Sequence, residues 1–376
     1  MIIAGGIVFC DDGVFRKLNI EIENGIITAI KESCHNSVRD IVDARDRYVV
    51  PGLVDIHTHG AMGADFSDGT KEATQEIARY LLSCGVTSFL GTTMTLPERQ
   101  LLEICKTARP FINADCPNQA VLRGIHLEGP FIGQEKRGAQ NAAYIIGPDH
   151  SMLMRLHEAS GMAVMLAVVA PEVDGAIGFI QEAASVCTVS LAHSSADYET
   201  ANEAFSKGAN HVTHLFNGMD PLNHREPGII GAAFDRGAYV ELIADGIHIH
   251  PSVVRAAFKL FGDDRVCLIS DSLRACGLAD GEYGLGGQMV TVAGRSATID
   301  NGSLAGSVTN LADCMRNAIE YGVPVSTALK AATINPAKSV GIDKEIGSLT
   351  LGKRADILVL EQDLQLKNII HGGVPV

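Results

Sequence analysis

Positive charge is scarce in this sequence. Thirty lysines and arginines stand against 44 aspartates and glutamates, a formal net charge of −14. Such a chain repels nucleic-acid backbones and anionic membranes, so neither is expected as a partner. Long apolar runs are also missing. The longest, around residues 162–170, falls well short of the roughly 20 residues that cross a bilayer. The opening stretch MIIAGGIVFC carries no basic leader and no small-residue cleavage site. The nine cysteines, at positions 10, 34, 84, 105, 116, 187, 267, 276 and 314, form no C-x-x-C pair, and their number is odd. Together these absences lead us to expect a cytoplasmic protein with reduced thiols.

What is present fits a large α/β protein. The 376 residues, 46% of them apolar, suffice for one barrel of about 250 residues plus an accessory piece. Glycine is plentiful at 39 residues, as many strand-to-helix turns require. Residues 1–50 are short β-branched runs, and Asn24-Gly25 between two of them signals a hairpin. The C-terminus repeats this texture in ADILVLEQD and LKNIIHGG. The expected organisation is therefore a small β-sandwich domain built from both termini, residues 1–51 plus 344–376, around a catalytic domain at 52–343.

Eight apolar runs punctuate the middle, at 53–59, 86–93, 121–129, 164–172, 189–195, 211–217, 239–248 and 265–272. Helical stretches such as 70–83, 148–160, 196–207 and 251–261 lie between them. Apolar strands alternating with helices argue for parallel strands buried on both faces. Eight units point to a (β/α)8 TIM barrel. The rival, an open doubly wound sheet, lacks a Gly-x-Gly-x-x-Gly after the first strand.

Ionisable residues gather at the C-terminal ends of these runs: His57 and His59, then Glu128, His193, His214 and Asp271. In a barrel those ends converge on the active-site face. Burying so many ionisable groups is costly unless something pairs with them, and a metal ion does so. His57 and His59 are two apart on a strand and point to the same side, so they can share an ion. Asp271, late in the chain, suits proton transfer to and from a water beside the metal. Histidine and carboxylate ligands suit zinc, iron, manganese or cobalt alike; one or two divalent ions per chain are expected, with zinc first among the four.

The pattern resembles the amidohydrolase superfamily, on the entry P-G-L-V-D-I-H-T-H (51–59) and the tail G-S-L-T-L-G-K-R-A-D-I-L-V-L (347–360). Branches that carry a carboxylated lysine after strand 4 are set aside, because 164–172 contains no lysine. Within the superfamily, the chain resembles the N-acetylglucosamine-6-phosphate deacetylases over nearly its whole length. The resemblance rests on H-L-E-G-P-F (126–131), A-H-S (192–194), T-H-L-F-N-G-M (213–219), R-E-P-G (225–228), A-D-G-I-H (244–248) and S-D-S-L (270–273).

The resemblance implies a core metal trio of Glu128, His193 and His214, a second-metal pair of His57 and His59, and Asp271 as catalytic acid/base. It implies a phosphosugar pocket lined by Ala139, Gln140, Asn217, Gly218, Asp245, His248, Leu304, Ala305 and Gly306. It further implies a homodimer in which Arg225 reaches the neighbouring site to hold the 6-phosphate, a task suited to a guanidinium's paired donors. One departure stands out: relatives show K-G-A-H where this chain reads K-R-G-A-Q (136–140). Gln140 can donate a hydrogen bond but cannot carry charge. Polarisation of the substrate carbonyl is then expected to rest more on metal. A deacetylase of N-acetylgalactosamine 6-phosphate and a non-catalytic phosphosugar sensor are the competing functions.

Overall fold

The computed structural model describes residues 1–33 and 40–376, so Cys34 lies outside the described residues. Eight parallel strands run in sequence order around one sheet: β1 (Leu53–Thr58), β2 (Val86–Thr93), β3 (Val121–Leu127), β4 (Val164–Val169), β5 (Thr188–Leu191), β6 (His211–Val212), β7 (Tyr239–Ile243) and β8 (Val266–Ile269). Nearly every residue in them is buried, as expected of strands covered on both faces.

The seam between β8 and β1 lies beyond the end of β8. Asp271 N–H donates to His57 O at 2.9 Å, and His59 and Gly60 N–H both donate to Ser272 O. Asp55, fully buried on β1, accepts from Ser270 Oγ at 2.6 Å and from the His57 amide at 3.2 Å. Burial pushes its carboxyl up to about 6, against the opposing effect of these hydrogen bonds.

The helices begin where the sequence supplies caps. Thr70 caps α1 (Lys71–Ser83), Asp149 caps α3 (His150–Ala159), Asp197 caps α5 (Tyr198–Ser206), and Asn310 caps α8 (Leu311–Glu320). The remaining barrel helices are α2 (Glu98–Ala108), α4 (Ala176–Ala183), α6 (Gly228–Arg236) and α7 (Pro251–Phe261). The strands are shorter than the apolar runs suggested, and β6 retains only two residues. The chain leaves the ladder because His193, His214 and Asp271 adopt left-handed backbone, with φ of 48°, 33° and 48°. Such φ values are unusual for residues other than glycine and cluster at functional sites. The polar residues therefore sit in the turns just past the strand ends.

Both termini build a separate eight-stranded sheet. Strands Ile2–Phe9, Phe15–Glu23, Ile26–Lys31, Ile41–Asp43 and Tyr48–Pro51 join Ile357–Leu360, Leu366–His371 and Val374–Pro375. An isolated bridge joins Ile26, on one edge strand, to Arg354 in the segment leading into Ile357–Leu360, and Ile3, Ile20, Ile27, Val49, Ile357 and Ile370 pack together in the core of this sheet. Arg354 ties this sheet to the loop before β3 through two bonds to Asp115, at 2.8 and 3.1 Å. Behind it, buried Asp356 accepts from Arg354 Nε at 3.0 Å and from the Gly372 amide at 2.8 Å.

Burial alone would raise the Asp356 carboxyl, but His371 and Arg354 hold it below the usual carboxylate range. A folded-state pKa below the unfolded value contributes stability above the ordinary carboxylate pKa. That contribution is lost as pH falls through the folded value. Asp356→Ala is expected to cost roughly 3 kcal/mol, the scale of a broken buried ion pair. Urea unfolding checks this, and the deficit relative to wild type should shrink in acid.

Candidate active site

Glu128, in the turn after β3, is where the site converges. Its Oε1 lies 2.8 Å from His214 Nε2 and 3.3 Å from His193 Nε2; its Oε2 lies 3.1 Å from His59 Nε2. His57 Nε2 is 3.6 Å from Oε1. Asp271 closes the group, with Oδ1 at 3.3 Å from both His57 Nε2 and His59 Nε2. All six residues are buried.

The ring orientations are fixed from behind. His193 Nδ1 donates to Lys136 O at 2.8 Å, and His214 Nδ1 donates to Asn217 O at 3.1 Å. A carbonyl can only accept, so both Nδ1 atoms carry hydrogens and both Nε2 lone pairs face inward in the neutral tautomer. Those two nitrogens are 3.2 Å apart and aim at one carboxylate oxygen. Two lone pairs and an anion at such distances call for a cation. Metal-ligating histidines have this arrangement, with the outer N–H held by a carbonyl or carboxylate. Glu128, His193 and His214 could hold one ion, and His57, His59 and Glu128 a second.

The electrostatics agree. Burial would raise the Glu128 carboxyl, yet His57 and the hydrogen-bonded His193, His214 and His59 hold it well below its ordinary range. Asp271 is likewise lowered against its burial by His57 and His59. Burial would lower His57, but Asp271, Glu241 and Glu128 push it up to about 9. Two buried carboxylates thus draw positive charge into the cluster from whatever source offers it.

Above the cluster opens a cavity of ≈ 360 Å³. Ala139, Gln140, Asn217, Gly218, His248, Leu304, Ala305 and Gly306 line it together with His59, Glu128, His193, His214 and Asp271. Gly306 has φ +65°, and a Cβ there would lie 2.9 Å from Asp271 O, so only glycine fits. Asp245 stands behind the wall, accepting from His248 Nδ1 at 2.8 Å and from the Ile247 and His248 amides.

Gln140 has both ends engaged. Its Oε1 accepts from Thr95 N–H and its Nε2 donates to Glu128 Oε2, each at 2.8 Å. The donor expected beside the substrate carbonyl is bonded to Glu128. Arg225 is not brought to this cavity. It is exposed on the loop before α6 and lines a separate cleft of ≈ 910 Å³ with Tyr198, Asp220 and Asp235.

Sequence reasoning missed two kinds of residue. Asp55 and Glu241 are fully buried carboxylates inside apolar strands. A charged residue amid YVELI was the available signal. It also passed over a three-stranded antiparallel insertion between β8 and α8, made of Gly281–Leu285, Gln288–Ala293 and Ser296–Ile299. This insertion adds Leu285 to the cavity wall, and its Gln288 Nε2 donates to Ala139 O at 2.6 Å.

A (β/α)8 barrel with histidines and carboxylates converging on the C-terminal face defines a class of metal-dependent hydrolases. The chain belongs to the amidohydrolase family, whose model matches residues 48–376. Its relatives narrow the class. The chain is 37% identical to the N-acetylglucosamine-6-phosphate deacetylase of Bacillus subtilis, over 89% of this chain and 86% of that one. It is 32% identical to the N-acetylgalactosamine-6-phosphate deacetylase of Escherichia coli, over 96% and 94%. Among solved structures, a mutant N-acetyl-D-glucosamine-6-phosphate deacetylase of Mycobacterium smegmatis, in complex with N-acetyl-D-glucosamine-6-phosphate, superposes with a TM-score of 0.93 at 29% identity. That match covers 100% of this chain and 98% of the other. No helix among the described residues is long and apolar enough to cross a membrane.

Proposed function

We propose that this chain hydrolyses N-acetyl-D-glucosamine 6-phosphate to D-glucosamine 6-phosphate and acetate in cytoplasmic amino-sugar catabolism. The observation that carries the reading is the placement of Asp271 and the Glu128, His193 and His214 trio on the floor of one sugar-sized cavity. Similarity to deacetylases over nearly the whole chain supports the substrate class.

Glu128, His193 and His214 would hold a divalent ion, most simply zinc, with His57 and His59 providing for a second. Bound there, such an ion supplies Lewis acidity, lowering the pKa of water and polarising the acetamide carbonyl. Asp271 takes a proton from the attacking water on its carboxylate as the new C–O bond forms. It returns that proton to the sugar nitrogen as the C–N bond breaks, so acetate and a free amine leave. His248, anchored through Nδ1 by Asp245, presents Nε2 to the bound sugar. Asn217, Gly218, Leu304, Ala305 and Gly306 shape the pocket around the ring. Gln140 steadies Glu128, and its neighbour Ala139 lines the wall. Arg225, exposed and away from its own cavity, would serve the phosphate bound in the other subunit of a homodimer.

The test is acetate release from N-acetylglucosamine 6-phosphate and its galacto epimer, before and after chelation. A higher kcat/KM on the gluco sugar, abolished by chelation and restored by zinc, is expected. A preference for the galacto epimer would transfer the assignment, and binding without acetate release would replace the enzyme with a sensor.

A further inference from the structure

Glu241 is the least expected residue in the barrel. It sits in the middle of β7, fully buried, in the run YVELI. An ionised carboxylate in such a place is expensive unless its partners repay it. One oxygen, Oε2, has two partners. It lies 2.9 Å from His57 Nδ1 and accepts from the His214 backbone N–H at 3.1 Å. The other, Oε1, lies 3.9 Å from His211 Nε2, and neither atom has a hydrogen-bond partner among the described residues.

These two contacts approach the cluster from behind, on the side away from Glu128, which His57 and His214 both face through Nε2. His57 belongs to β1, which β8 separates from β7, whereas His214 follows β6 on the opposite flank. A carboxylate can only accept, so His57 Nδ1 carries the hydrogen and Nε2 is turned toward Glu128 and Asp271. The bond to the His214 amide holds a residue whose φ of 33° lies outside ordinary strand geometry. Leu215 N–H, next in the chain, donates to Glu241 O at 2.8 Å.

We infer that Glu241 is a positioning residue, whose single oxygen sets the ring orientation of His57 and the backbone of His214 and so fixes the spacing between the two metal positions. The inference rests on the metal-ligand reading of His57 and His214 given above. It predicts different outcomes for a polar and an apolar replacement of similar size. Glu241→Gln keeps an oxygen that can accept both bonds, whereas Glu241→Leu fills the space with no acceptor.

Competition of zinc-loaded protein with a chelator tests it. Wild type should retain zinc, and Glu241→Gln should match it within a few-fold. Glu241→Leu should bind more weakly by about 10- to 100-fold, the usual effect of losing a partner behind a ligand. Wild-type affinity in the Leu variant overturns the inference. Failure of wild type itself to take up zinc overturns the metal reading instead. Should the Leu variant not fold, imidazole NMR of zinc-loaded wild type and Glu241→Gln decides. A slowly exchanging, strongly downfield His57 Nδ1 proton is expected in wild type and should move upfield in the Gln variant. Its absence from wild type, or an unchanged position in the variant, counts against Glu241.

Discussion

Asp271→Asn is expected to lower kcat by about 10²- to 10⁴-fold, the range that a positioned proton-transfer group contributes, while metal and substrate still bind. The substitution is chosen so that little else changes. Asp271 has φ 48°, a region asparagine tolerates better than most residues. Its backbone is held at both ends, by the bond from Asp271 N–H to His57 O and by the Ser307 amide donating to Asp271 O at 2.8 Å. Neither bond involves the side chain. The amide matches the carboxylate in shape but cannot accept the water's proton or return it to the leaving nitrogen. The metal trio is untouched, because Asp271 contacts His57 and His59 rather than His193 or His214. Steady-state acetate release and metal content per chain check the outcome. A kcat within tenfold of wild type would remove Asp271 from the mechanism.

Much of this site was legible because barrel geometry makes strand ends meaningful. The i, i+2 spacing of His57 and His59 predicts a shared side, and both rings do face Glu128. Glu128, His193, His214 and Asp271 could be read as convergent once eight strands were counted, since all eight end on one face. Other features depend on closure, which no local pattern encodes. Asp55 and Glu241 lie in apolar runs, and their partners sit 215 and 184 residues away in sequence, Ser270 for one and His57 for the other.

Strand lengths were overestimated for a related reason. The turns carrying His193 and His214 continue the apolar composition of the strands, so only the backbone reveals where pairing stops. The thiols present a simpler case. All described cysteines are free. Burial raises those at 105, 267, 276 and 314, which leaves them poor nucleophiles.

Glu128 carries the other large effect. Removing a single histidine takes one ligand from one position, but Glu128 faces four imidazoles and belongs to both candidate metal positions. Glu128→Ala should therefore empty both and leave four rings without their shared anion. The expected loss of turnover exceeds the roughly 10²- to 10⁴-fold assigned to proton transfer, because neither the nucleophile nor the carbonyl would then be activated. Glu128→Gln should fall between, since an amide oxygen is a weaker ligand and its NH2 would confront the Gln140 amide that now donates to Oε2. The measurements are metal content after gel filtration and acetate release with zinc added back. Full metal content in Glu128→Ala would move the ion elsewhere in the cluster. Recovery of wild-type turnover by added zinc would show that Glu128 contributes affinity alone, whereas failure to recover at full occupancy would give it a part in ordering the reacting groups.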